Sequence, residues 1–158
     1  MIAADLPEPP TNAPVATLIT ETSISVSIDA LPVLANGGSV VTGYIVQIDD
    51  GMGGTFTTVH DALTLDLIIN GLQSGFTYRI RYTARNIVYD SNNMYACDSL
   101  NWSDSQYVLT AVTPSSPLNL RFDPTIRYKN SLIFKWDKPI SNGGSPLQDY
   151  TLEIEDIA

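Results

Sequence analysis

The residue types that offer chemistry gather between positions 87 and 105. Asp90, Asn92, Asn93, Asp98 and Asp104 supply hard oxygens of the kind that Ca²⁺ takes. They follow no EF-hand or other calcium spacing, so a solvated acidic loop is the plainer reading; Asp90, Asn92, Asp98 and Asp104 remain weak candidates and no metal is assigned. Cys97 lies in the same stretch and is the one cysteine of the chain. It reads as a lone thiol, or as half of a bridge to another chain or domain in an oxidising compartment. Asn101-Trp102-Ser103 is the one N-glycosylation sequon, which would carry sugar on Asn101 in a secreted protein. Tyr89, Met94, Tyr95 and Trp102 are side chains that anchor protein partners when a loop presents them, and that otherwise fold back onto the edge of a domain.

No catalytic set accompanies them. His60-Asp61 among abundant Ser and Thr permits a Ser-His-Asp triad on paper, but no nucleophile elbow is present. Asn36-Gly37-Gly38-Ser39 reads as a turn, since the Lys and the following helix of a phosphate loop are missing. One His and one Cys exclude metal sites built from several of either. The chain is therefore read as no enzyme, with no catalytic residue and no cofactor. Its 17 acidic and 8 basic side chains, net −9, oppose a phosphate backbone, so nucleic acid is excluded as a partner. No run approaches the roughly 18 apolar residues that cross a bilayer, so no membrane insertion is expected within this chain. Met1 to Pro7 lacks the basic and apolar regions of a secretory signal.

Strands must position whatever chemistry there is. Ile24, Val26 and Ile28 alternate with Ser23, Ser25 and Ser27, and the segment 76–86 sets Phe76, Tyr78, Ile80, Tyr82 and Ala84 against Thr77, Arg79, Arg81, Thr83 and Arg85. Period two with one apolar side means a sheet that is dry on one face and wet on the other. Further strands are expected at 14–19, 43–50, 55–60, 64–69 and 106–113, all rich in Val, Ile, Thr or aromatics. Turn residues divide them: Asn36-Gly37-Gly38-Ser39, Asp50-Gly51-Met52-Gly53-Gly54 and Asn70-Gly71 all accept positive φ. No segment keeps the three-and-four apolar spacing of a helix. An all-β fold follows, an antiparallel β-sandwich of seven strands.

The chain also repeats itself at an offset of 106 residues. Asn36-Gly37-Gly38-Ser39 with Tyr44, Val46 and Ile48 falls on Asn142-Gly143-Gly144-Ser145 with Tyr150, Leu152 and Ile154. With a two-residue gap, Ile24 to Ile28 and Pro32 match Leu132 to Trp136 and Pro139. Pro7-Glu8-Pro9-Pro10 and Pro114-Ser115-Ser116-Pro117 precede the two copies as short stiff segments. The expected organisation is a Pro-rich leading linker at 1–11, a complete module at 12–113, and the first three strands of a second, truncated copy at 114–158. Residues 1–113 hold 11 acidic and 3 basic side chains, while 114–158 hold 6 and 5, so nearly all the acidity belongs to the first copy.

These residues resemble the fibronectin type III family. Leu72-Gln73-Ser74-Gly75-Phe76-Thr77-Tyr78 is similar to the family's Leu-x-Pro-Gly-Thr-x-Tyr corner, followed by Tyr82-Thr83-Ala84-Arg85-Asn86 at the end of strand F. Trp136-Asp137-Lys138-Pro139, Asn142 to Leu147 and Tyr150 resemble the passage from strand B to strand C. The resemblance implies structural roles for Leu72, Gly75, Tyr78 and Trp136, and strands A, B and C for 114–158. Three departures stand out: Ile28 where the family carries a core Trp, Ser74 for the corner Pro, and a segment between strands F and G much longer than usual. Arg79, Arg81 and Arg85 with Trp102 resemble part of the Trp–Arg ladder of cytokine-receptor modules.

The resemblance implies a non-catalytic structural, adhesion or scaffold module of a larger tandem-repeat protein, binding protein partners through its loops. Those partners are neighbouring repeats or other copies of the chain. A self-assembling subunit completed by a neighbour's strands, and an accessory spacer of a larger enzyme, are the alternatives. The sequon and the acidity favour an extracellular or cell-surface location; the Asn-Gly-Gly-Ser passage, similar to modules of giant muscle proteins, favours a cytoskeletal or ciliary scaffold instead.

Overall fold

The computed structural model describes residues 4–88, 102–123 and 131–155. They fall into two compact units that divide between Ala111 and Val112. The first contains seven strands: β1 (Val15–Ile19), β2 (Ser23–Ser27), β3 (Val41–Ile48), β4 (Thr57–Ala62), β5 (Asp66–Asn70), β6 (Thr77–Asn86) and β7 (Gln106–Leu109). All pairings are antiparallel, in one sheet of order β1-β2-β5 and another of order β4-β3-β6-β7. The arrangement is a two-layer sandwich.

Alternation decides what each sheet buries. Ile24 and Val26 of β2, followed by Ile28, meet Tyr44, Val46 and Ile48 of β3 and Tyr78, Ile80, Tyr82 and Ala84 of β6, with Ile69 and Val108 closing the core. Ile28 leaves out the volume of an indole, and three tyrosines supply aromatic bulk here. Two of their hydroxyls accept backbone donors: Tyr44 accepts the Leu31 N–H at 3.0 Å, and Tyr78 accepts the Gln73 N–H at 2.8 Å.

The second of these bonds ties the turn before β6 to β6 itself. Leu72 packs against the core beside it, and Gly75 takes φ 81°, a left-handed conformation that suits glycine. Fully buried Thr110 completes the corner, donating its hydroxyl to the Gln73 carbonyl at 2.6 Å and its N–H to the Phe76 carbonyl at 3.0 Å. That inward turn ends β7 at Leu109, four residues before the expected 113. Ser74, in place of proline, leaves its buried hydroxyl without a partner among the described residues. A 3-10 turn at Val33–Ala35 is a short helical element that the spacing did not predict.

The second unit pairs β8 (Leu118–Phe122) with β9 (Phe134–Asp137), and Phe122 meets Phe134 edge-on at 6.2 Å. Trp136 lies 5.6 Å from Tyr150. The third expected strand, around Tyr150 to Ile154, takes no ladder position among the described residues. Its counterpart β3 is held between β4 and β6, and an extended segment without such neighbours leaves its backbone groups to water. Ile154 is accordingly 72% exposed, where Ile48 at the matching place is 4%.

Both units receive the chain in the same way. The Asp5 and Glu8 N–H groups donate to the carbonyls of Gly37 and Ala35 at 2.8 and 2.9 Å; the Val112 and Ser115 N–H groups donate to those of Gly143 and Ser141 at 2.8 and 3.1 Å. Gly37 and Gly143 each have φ 70°, and a Cβ on either would run into the carbonyl oxygen of Asp5 or of Val112. The Asn-Gly-Gly-Ser turn is thus a seat for incoming backbone. Tyr78→Phe should lower the unfolding free energy by about 1 kcal/mol, the net value of one hydrogen bond, with a further loss from the unpaired Gln73 N–H. Urea denaturation of both proteins would measure it as a lower midpoint at unchanged slope.

Candidate functional site

The outer face of the β4-β3-β6-β7 sheet carries the arginines that the alternation turned outward, each with a partner. The Asp49 side chain is 0% exposed and receives Arg79 Nε at 2.7 Å. Its other oxygen accepts the backbone N–H groups of Arg79 at 2.8 Å and Gly51 at 3.1 Å. Burial works to raise the Asp49 pKa, but the hydrogen bonds from Arg79 and Gly51 together with the Arg79 charge outweigh it and hold the carboxyl below its ordinary value. Arg79 also donates to the Gly54 carbonyl at 2.8 Å, which fixes the β3–β4 hairpin against β6. Farther along, Arg85 pairs with Asp61 of β4 at 2.8 Å.

Arg81 lies between two aromatic rings. Its guanidinium carbon is 4.0 Å from the Phe56 ring centre and 4.3 Å from that of Trp102, while Nη2 and Nε donate to Gln47 Oε1 at 2.9 and 3.2 Å. Phe56 reaches Arg79 as well, at 5.0 Å. The order Trp102, Arg81, Phe56, Arg79 forms a short stack in which each cation faces a ring, worth about 0.5–1 kcal/mol per contact at an exposed site. Trp102 is fixed from behind by Ser103, whose N–H donates to the Tyr82 carbonyl at 2.9 Å and whose hydroxyl accepts the Tyr82 N–H at 3.1 Å.

The sequence candidates separate accordingly. Trp102 joins the arginine face. Asp104 is exposed, and no group of three or more His, Cys, Asp and Glu residues is placed to hold a metal ion among the described residues. Tyr89, Asp90, Asn92, Asn93, Met94, Tyr95, Cys97, Asp98 and Asn101 lie outside the described residues. The His60 ring turns to Thr64, 3.1 Å from its carbonyl and 3.3 Å from its hydroxyl, and so braces the β4–β5 turn. Nothing local in the sequence marks Phe56, Gln47 and Asp49 as part of this face. Only the register of β3 on β6, with Gln47 opposite Arg81 and Ile48 opposite Ile80, brings Gln47 and Asp49 to the arginines, and Phe56 reaches them from the residue before β4.

Comparison with known proteins fits this geometry. No family model matches the chain. Titin of Drosophila melanogaster is 29% identical over 96% of the chain, and the chain spans 1% of that protein. Fibronectin type-III domain-containing protein 3a of Gallus gallus is 28% identical over 75% of the chain, which spans 9% of it. The solved fourth fibronectin type III domain of a human protein superposes with a TM-score of 0.53 at 24% identity, covering 72% of the chain and 87% of that domain. The first unit has the fold of a fibronectin type III domain, and the chain's relatives include a fibronectin type-III domain-containing protein. Both relatives are much larger proteins, of which the chain matches a small part. In the first unit the stacked arginine face braces one sheet, with the fully buried carboxylate of Asp49 paired to Arg79.

Asp49 gives the module a defined acid response. A carboxyl held below its ordinary value contributes stability that is fully present above the unfolded value, near 3.8, and is lost as pH falls through the folded one. Asp49→Asn should therefore lower the urea midpoint at pH 7 and weaken the fall in stability below pH 3.8. Urea midpoints of the two proteins, measured at intervals from pH 7 to pH 2, check both; parallel curves would count against the assignment.

Proposed function

We propose that this chain works as a non-catalytic spacer and scaffold within an array of fibronectin type III modules, and that it holds a protein partner through the 87–105 loop. The repeated seat for incoming backbone carries the first part of this reading. The same N–H to carbonyl pairs serve Asp5 with Gly37 and Val112 with Gly143, so each unit is organised to receive chain from a predecessor. A motif of that kind has use in a string of modules. For the second part, Tyr89, Met94, Tyr95 and Trp102 supply the aromatic and thioether chemistry of a binding loop, and Trp102 stands on a braced arginine face, which gives the loop a rigid base.

One observation favours a second reading for residues 112–158. Leu132, Tyr150, Leu152 and Ile154 expose apolar surface that the matching residues of the first unit bury. Strands from elsewhere, in the same protein or in another copy, would cover it. Sedimentation velocity of the 158-residue chain separates the two: monomers across a hundredfold range of concentration fit the array module, and concentration-dependent polymers fit completion by a neighbour's strands.

The loop is tested by capture from extracts with the chain immobilised, against a variant in which Tyr89, Met94, Tyr95 and Trp102 are all alanine. A protein retained by the first and lost by the second supports the loop as the contact; equal retention removes that role. We favour a cell-surface setting, with a cytoskeletal or ciliary scaffold as the alternative. A mass decrease on enzymatic release of N-glycans from the native protein, abolished by Asn101→Gln, would support the surface.

A further inference from the structure

Asn86 ends β6 and is 0% exposed, and its side-chain amide meets three separate segments. Nδ2 donates to the Asp5 carbonyl at 2.7 Å and to the Asn36 carbonyl at 2.9 Å; Oδ1 accepts the Val88 N–H at 3.1 Å. Asp5 belongs to the incoming segment, Asn36 to the turn that seats it, and Val88 to the root of the 87–105 loop. One rigid amide plane therefore spans the place where the chain arrives and the place where the long loop departs.

The bonds around it leave little slack. Asp5 is gripped through both its peptide groups, by its N–H on the Gly37 carbonyl at 2.8 Å and by its carbonyl on Asn86. The approach is so close that Gly37 accepts no Cβ. An amide buried in this way cannot turn to water when one bond breaks, so a shift of Val88 that drags Oδ1 also displaces Nδ2 from Asp5 and Asn36.

We propose that Asn86 couples the conformation of the loop root to the order of the incoming segment. A partner that draws the loop root away from Asn86 loosens residues 4–8, and an incoming segment held in its seat keeps the loop root in place. The partner's part in this rests on the loop-binding reading above, whereas the coupling itself is a property of the free chain. Because coupling between two sites is reciprocal, each end must respond to a change at the other by a similar factor.

Amide hydrogen exchange on the full 158-residue chain reads both ends without a partner. The Asp5 and Glu8 N–H groups report the incoming segment, Val88 the loop root, and Val46 and Ile80 the integrity of the sandwich. Val88→Pro removes the donor to Oδ1 and should speed exchange at Asp5 and Glu8 about tenfold, the factor commanded by one hydrogen bond of ordinary net strength, with Val46 and Ile80 unchanged. Asp5→Pro removes the donor to Gly37 and should speed exchange at Val88 by a similar factor. Asn86→Asp, which keeps the acceptor for Val88 and loses both donors, should release Asp5 and Glu8 while Val88 stays protected. Exchange at Asp5 and Glu8 within twofold of the wild type in a folded Val88→Pro variant would make Asn86 a static tie and overturn the proposal. Should Val88→Pro also expose Val46 and Ile80, the Asp5→Pro arm decides, and unchanged protection of Val88 there overturns it equally. A failed search for a loop partner leaves these outcomes untouched.

Discussion

Along the β3–β6 ladder, Tyr44 stands opposite Ala84, Val46 opposite Tyr82 and Ile48 opposite Ile80, all turned into the core, while Ile45 and Thr83, Gln47 and Arg81, and Gly43 and Arg85 take the other face. This one register does two tasks at once. It packs the most buried side chains of the first unit, and it brings acceptors from β3 to the arginines of β6. A slip of one residue would exchange the faces, putting guanidinium groups in the core and aromatic rings in water. The other strands add to this pair: β4 and β7 at its sides, and the β1-β2-β5 sheet across the apolar layer.

Hydrogen bonds at the strand ends then connect the ladder to the rest of the module. Tyr78 and Thr110 fasten the corner before β6, Asp49 and Arg79 fasten the hairpin after β3, and Asn86 fastens the far end of β6 to the incoming chain. These are buried or partly buried groups whose donors and acceptors need partners, so each tie constrains the backbone that supplies it. A sandwich built this way has both ends of β6 anchored.

Much of this was visible from the residues. The alternation in 22–29 and 76–86 marks strands and faces, and the corner motif draws Leu72, Gly75 and Tyr78 together within seven residues. The displaced boundary of β7 was not visible, because Thr110 has good strand propensity and leaves the strand only to satisfy the corner's carbonyls. The unpaired segment at Tyr150 to Ile154 shows the same limit from the other side. Its pattern matches β3, but a strand exists through its neighbours as much as through its own residues.

The candidate face divides in the same way. Arg79, Arg81, Arg85 and Trp102 could be picked out because outward alternation and residue type are local properties. Asp49 and Gln47 could not, since their importance comes from pairing with residues 30 and 34 positions away; nor could Phe56, which meets Arg79 and Arg81 of another strand, and Asn86 reaches Asp5 across 81. Sequence by itself determined that the chain forms antiparallel strands with one buried face, because period-two patterning and turn glycines act within a few residues. Tertiary structure alone decided which carboxylate meets which guanidinium and which amide holds the incoming chain. Those partners are chosen by the register of strands distant in sequence, where small differences in packing and in hydrogen bonds left unmade select one neighbour over another.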